Sequence, residues 1–264
     1  MKRDLGVFYT CYKEKEAVIY SLEKLFEVYE DIPVYLVSDG GGDYSSLKDI
    51  FPDKKIETVL EEDCRGEFLS FNDENFREPE KITSAAKAVR AFIDRAAAAI
   101  EFCDSKHILV MEPDVLVRGK LNIPEDADLL GHNMNTTFGP FGIQEVYEKI
   151  EGARMPKCWG ATPAIFKTES FIEAKNKLYG TDGLVEKLCY HERQFAYYDC
   201  LLSMLFGLIS IDETFNPDII ECLRDPYWQL KPNPLVHQYR AKYPTVADGY
   251  DSKNGDRDHL LKNF

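Results

Sequence analysis

The apolar positions of the chain follow two rhythms that take turns. Residues 5–11, LGVFYTC, form a continuous run rich in Val, Phe and Tyr, which predicts a buried strand. In EAVIYSLEKLFEVY the period changes: Val18, Leu22, Leu25, Phe26 and Tyr29 recur three and four apart and line one helical face. A second short strand follows at 34–37 and ends at Ser38, Asp39 and a glycine-rich turn. Strand, helix and strand in this order predict a βαβ unit with parallel strands in one sheet. KIETVL, residues 55–60, offers a third strand, and EEDCRGEFLSFNDENFREPE is a polar, irregular loop or lid. The alanine-rich ITSAAKAVRAFIDRAAAAIEF is the clearest helix, with Thr83 or Ser84 as its expected cap. It leads straight into HILVMEPDVLV, a buried strand with Glu112 and Asp114 on either side of Pro113 at its end.

Three alternations of strand and helix within the first 120 residues predict an α/β fold. Its expected form is an open, Rossmann-like, mostly parallel central sheet flanked by helices, with ligands at the carboxyl ends of the strands. Beyond residue 120 the texture changes to ADLLGHNMNTTFGPFG, CWGATPAIFKTESF, helical segments around 184–207 and a Pro-rich tail. With no linker and no internal repeat, residues 121–264 are expected to extend the domain begun by residues 1–120 and to close over its site.

Composition narrows the function. The 264 residues carry 32 Lys and Arg against 46 Asp and Glu, a net charge of −14, without a basic cluster. Such a chain repels phosphate backbones and anionic lipid, so neither nucleic acid nor a membrane surface is an expected partner. Seven cysteines, widely spaced and without a C-x-x-C pair, predict free thiols in a reducing compartment. No run of eighteen apolar residues exists, and the N-terminus turns charged after a few apolar positions, so the expectation is a cytosolic chain without secretory signal or membrane span.

Glu112 and Asp114 admit two readings. Carboxylates flanking a proline suit a solvated turn. Equally, a hard divalent cation such as Mn²⁺ or Mg²⁺ prefers carboxylate oxygens together with substrate phosphate oxygens, and a strand end on an α/β sheet is where a phosphorylated ligand arrives. Among the other candidates, Asp39 before glycines also fits a turn, Tyr12 and Trp159 also fit a core, and Arg90 also fits an ion pair with Asp94. Asp199 at the head of an apolar helical stretch also fits a helix cap, and the lone His237 also fits a structural role.

The ordered set FYTCY, VSDGG, the Ala/Arg helix and LVMEPDVLV resembles the GT-A glycosyltransferases, nucleotide-sugar-dependent enzymes whose metal is held by an Asp-x-Asp motif. Here the motif reads Glu-Pro-Asp. The resemblance spans residues 5–119 and implies a single GT-A-like domain with a smaller acceptor-side extension. It implies a UDP- or GDP-linked sugar donor and a glycan or other hydroxyl acceptor. It makes residues 1–120 the donor half, with Thr10 and Tyr12 lining the base pocket, Asp39 accepting from base or ribose, and Arg90 reaching the diphosphate. Asp114 becomes the direct metal ligand, Glu112 a second one that reaches the metal directly or through water or contacts ribose, and His237 in LVHQYR a further ligand that favours Mn²⁺. Trp159 and Gly160 fall where such enzymes floor the sugar pocket. Asp199, with Glu192 in reserve, falls where inverting members place the general base, and Arg240 and Lys242 could close on the diphosphate. Two other readings are a sugar-phosphate nucleotidyltransferase, for which YTCYKEKE lacks the glycine and arginine of a phosphate loop, and an inactive nucleotide-sugar-binding module.

Overall fold

A computed structural model describes residues 2–61, 77–131, 141–155, 162–191, 198–209, 213–215, 219–221 and 231–237. In chain order the strands are β1 (Arg3–Cys11), β2 (Val34–Asp39), β3 (Ile56–Glu61), β4 (Ser105–Met111), β5 (Val115–Val117), β6 (Leu129–Gly131), β7 (Ala164–Lys167), β8 (Glu213–Phe215), β9 (Ile219–Glu221) and β10 (Leu235–His237). The helices are α1 (Lys15–Val28), α2 (Leu47–Ile50), α3 (Pro79–Cys103), α4 (Phe141–Tyr147), α5 (Thr168–Gly180), α6 (Leu184–His191) and α7 (Tyr198–Phe206).

Seven strands form one sheet in the order β3-β2-β1-β4-β7-β6-β8. Four of the six neighbouring pairs are parallel, and β7 runs antiparallel to both β4 and β6. The mostly parallel sheet expected from the sequence is therefore present, and strands from both sides of residue 120 share it. A second, three-stranded sheet, β5-β10-β9, stands beside it.

Period-two alternation divides the core between the two faces of the main sheet. Phe8, Ile108, Val110, Ala164 and Phe166 face a cluster with α3, α5, α6 and α7, where Phe166 stacks on Phe171 at 4.9 Å between ring centroids. Their chain neighbours Val7, Tyr9, Leu109, Met111 and Ile165 face the opposite cluster with Leu22 and Leu25 of α1 and Leu235 of β10. Helices on both faces explain why the central strands read as continuous apolar runs.

The sequence misplaced one boundary: α3 begins at Pro79, with Glu78 as its N-cap, rather than at Thr83 or Ser84. Proline lacks an N–H that the first helical turn leaves unused anyway, and its fixed φ suits that position. Thr83 lies inside the helix and donates its hydroxyl to the Pro79 carbonyl at 2.8 Å. Among the described residues no helix is long and apolar enough to cross a membrane. Cys11, Cys103 and Cys189 are buried free thiols, and burial pushes the Cys103 thiol up to about 11.

A cleft of about 670 Å³ opens at the amino-terminal end of the main sheet, between the starts of β1 and β4 and the head of α5. His107, 8% exposed, lies in its wall. Burial holds its imidazole below the ordinary 6.5; Lys167 and Lys106 add to the effect, and the backbone of Asp4 opposes it. Below pH 6.5 the unfolded chain then binds a proton that the folded chain resists, so stability is complete above that pH and is lost as pH falls through the folded value. In urea titrations the stability margin of the wild type over His107→Gln should shrink between pH 7.5 and 5; a constant margin would show that His107 titrates normally.

Candidate active site

Three loops meet at the carboxyl end of the parallel strands. After β1 the chain turns at Tyr12, Lys13 and Glu14 into α1; after β2 it turns through Gly40, Gly41 and Gly42; after β4 it turns through Glu112, Pro113 and Asp114.

The first two loops are locked together. Gly42 N–H and the Tyr44 hydroxyl both donate to the Tyr12 carbonyl, at 2.7 and 3.0 Å. A Cβ at Gly41 would stand 2.0 Å from that same oxygen, so only glycine permits the approach. Tyr12 is half-buried with the Lys13 ammonium 4.7 Å from its ring centroid, which places it at the site's edge instead of in the core. Thr10, also half-buried, pairs in register with Val37 of β2.

The third loop is a turn, as one reading of its carboxylates required. Val115 N–H donates to the Glu112 carbonyl at 3.0 Å, closing a four-residue turn with Pro113 at its second position, where proline's fixed φ is favoured. Yet the turn is not solvated. Asp114 is 5% exposed, and Glu112 is half-buried with its Oε1 accepting from the buried Thr162 hydroxyl at 3.2 Å.

Asp114 meets a residue far away in sequence. His237 ends β10, which pairs antiparallel with β5 so that His237 lies opposite Val115 and beside Glu221 of β9. Arg118 fixes the approach to that strand: its backbone N–H donates to the Pro234 carbonyl at 2.7 Å, and its guanidinium donates to the carbonyls of Lys231 and Asn233. Full burial of Leu235 and Val236 adds about 1.5–3 kcal/mol each. The result is His237 Nε2 standing 4.0 Å from Asp114 Oδ1. That is too long for a hydrogen bond. Two ligands bonded to one ion at about 2.0–2.2 Å lie at most about 4.4 Å apart, so the separation admits a shared divalent cation at a wide angle between the two ligands. Among the described residues no three His, Cys, Asp or Glu side chains gather closely enough to hold an ion by themselves. A pair of this kind suits an ion whose other positions go to substrate oxygens and water.

Asp39 faces a cation of the protein's own. Arg95 of α3 reaches its Oδ1 at 3.1 Å and Glu61 Oε2 at 3.2 Å. Sequence reasoning chose Arg90 and overlooked Arg95, although a signal existed: Arg95 falls in the helical stripe of Ala88, Phe92, Ala96 and Ala99, where a charge needs a buried partner. Arg90 instead binds Glu186 of α6 at 2.9 Å, and Asp94 is met by Lys175 and Tyr179. Thr162 carried no such signal. Asp199 is the second residue of α7, as expected for a helix start, and its side chain lies outside the described residues. Trp159, Gly160, Glu192, Arg240 and Lys242 lie wholly outside them.

No protein-family model and no curated protein sequence matches the chain. Solved structures do. The galactosyltransferase LgtC in complex with donor and acceptor sugar analogs aligns with a TM-score of 0.53 at 13% identity, over 98% of this chain and 100% of that one. The chain has the GT-A glycosyltransferase fold. GlyE of Streptococcus pneumoniae TIGR4, a glycosyltransferase, aligns at a TM-score of 0.48 and 11% identity, over 99% of this chain and 60% of that one. Against residues 1-349 of S. aureus TarS the TM-score is 0.38 at 10% identity, and 74% of this chain spans 56% of that one. At these identities the likeness to GT-A structures is one of fold.

The glycine contact gives a direct check. Gly41→Ala should cost about 1–3 kcal/mol in urea denaturation because the new methyl meets backbone instead of a yielding side chain. A loss below about 0.5 kcal/mol would show the two loops are not locked.

Proposed function

We propose that the protein is a metal-dependent glycosyltransferase that moves a sugar from a nucleoside diphosphate sugar, UDP- or GDP-linked, to a hydroxyl of a glycan or other acceptor, with inversion. One observation carries the reading: a carboxylate buried at the carboxyl end of the parallel strands, Asp114, stands 4.0 Å from His237, which a separate sheet delivers to it. The fold shared with LgtC supports it.

In this reading Asp114 and His237 hold Mn²⁺ or Mg²⁺, with manganese favoured by the imidazole. The ion, when bound, neutralises charge on the departing diphosphate. Glu112, tethered by Thr162, faces ribose or bound water. Thr10 and Tyr12 border the base, and Asp39 accepts from base or ribose. Trp159 and Gly160 floor the sugar pocket, Arg240 and Lys242 approach the diphosphate, and Asp199 removes the proton of the attacking hydroxyl opposite the leaving group. Arg90, engaged with Glu186, is the weakest candidate for a diphosphate contact. Buried free thiols suit a cytosolic setting.

Calorimetric titration of UDP and GDP with and without Mn²⁺ tests the donor site. Binding should require the metal, and Asp114→Asn should weaken it about 100-fold or more; metal-independent binding, or none, would remove the donor reading. Asp199→Asn tests the chemistry separately. It should lower transfer by about 10²–10⁴ while leaving nucleotide affinity nearly intact, and preserved turnover would reject Asp199 as the base.

A further inference from the structure

We propose that Arg95 is a positioning residue for nucleotide binding: by bridging Asp39 and Glu61 it sets the Asp39 carboxylate that faces the donor. The proposal rests on the reading of Asp39 as a nucleotide contact.

Asp39 and Glu61 end adjacent parallel strands and are direct partners in register. Neighbouring strands lie about 4.8 Å apart, so two like charges at paired positions repel and turn each other outward. Arg95 occupies the space between them. Its Nη1 forms an ion pair with Asp39 Oδ1 at 3.1 Å and its Nε donates to Glu61 Oε2 at 3.2 Å, with side-chain exposures of 10% for Arg95 and 13% for Asp39. The guanidinium is rigid and planar, so engaging two of its edges fixes both carboxylates at once. Its own anchorage is firm, because Phe92, Ala96 and Ala99 on the same helix are buried against the sheet. A lysine keeps the charge but has no second edge, and so cannot impose the same geometry.

The clamp also screens Asp39 from Glu61, its partner in register. Without Arg95, Glu61 pushes Asp39 away from the position its strand gives it, and the nucleotide meets a carboxylate that has to be reordered on binding. The effect of Arg95 therefore depends on Glu61. A purely structural arginine would show no such dependence.

Calorimetric titration of UDP and GDP in Mn²⁺ tests this on the wild type, Asp39→Asn, Arg95→Gln, Arg95→Lys and the double variants, with thermal unfolding as a check of folding. Arg95→Gln should weaken nucleotide binding roughly tenfold, the loss of one charge-assisted contact, and leave Mn²⁺ binding in the absence of nucleotide unchanged. Adding Glu61→Gln to it should restore part of the affinity, and adding Asp39→Asn should cost little more. Should Arg95→Gln fail to fold, Arg95→Lys carries the test with an expected loss of about threefold. Wild-type affinity in a folded Arg95 variant, where Asp39→Asn binds weakly, overturns the clamp and spares the role of Asp39. Unchanged affinity in Asp39→Asn overturns both, and absence of nucleotide binding by the wild type overturns the donor reading itself.

Discussion

A carboxylate taken out of water has to be compensated, and the burial of Asp114 is the constraint around which this end of the molecule is arranged. Pro113 sets the turn that points the chain inward, and β5 continues immediately into a buried position. The nearest described imidazole, that of His237, stands 4.0 Å away and arrives only because β10 docks on β5 in one register. A slip of one residue would exchange the faces of Val236 and His237 and put an apolar side chain opposite the carboxylate. Arg118 opposes that slip by holding three carbonyls of the preceding segment.

The same end of the sheet gathers Asp39, Glu61, Glu112 and Asp114, in a chain already strongly acidic. These four carboxylates are managed in two ways. Asp39 and Glu61 share a guanidinium that belongs to the fold, whereas Glu112 and Asp114 receive a hydroxyl and an imidazole. A hydroxyl brings no charge, and an imidazole brings one only when protonated. The Asp39 side is thus bridged by an arginine of the fold, whereas the contacts described at Glu112 and Asp114 come from a hydroxyl and an imidazole.

What the sequence revealed follows from how far apart the determining residues lie. The main strands and the two long helices of the first 120 residues were legible because the apolar runs along 5–11 and 107–111 and the three-four spacing of Val18, Leu22 and Leu25 are local signals. The start of α3 was missed because Thr83 and Ser84 resembled caps, while Pro79 at the first turn was the stronger signal. Asp114 and His237 could be named as candidates from residue type, but their meeting depends on a strand pairing across more than a hundred residues that no local pattern encodes. Thr162 was invisible for the same reason. Arg95 was not invisible: a charge inside an apolar helical stripe signals a buried partner, whereas Arg90 lies on the more open face toward α6.

The length of the acid at position 112 has a physical context in this fold. Glu112 begins the turn directly after β4, where its backbone carbonyl is already committed to the Val115 N–H. Its side chain has one methylene more than aspartate and so one more torsion to be fixed. The Thr162 hydroxyl fixes one of its oxygens, and Thr162 is itself held just ahead of β7, the strand that pairs antiparallel with β4. Because β7 borders β4, the tether spans neighbouring strands of one rigid sheet, which is why a longer acid is accommodated there without loosening the corner. The length of Glu112 and the position of Thr162 therefore belong together, and a shorter acid at 112 would leave that hydroxyl without its carboxylate.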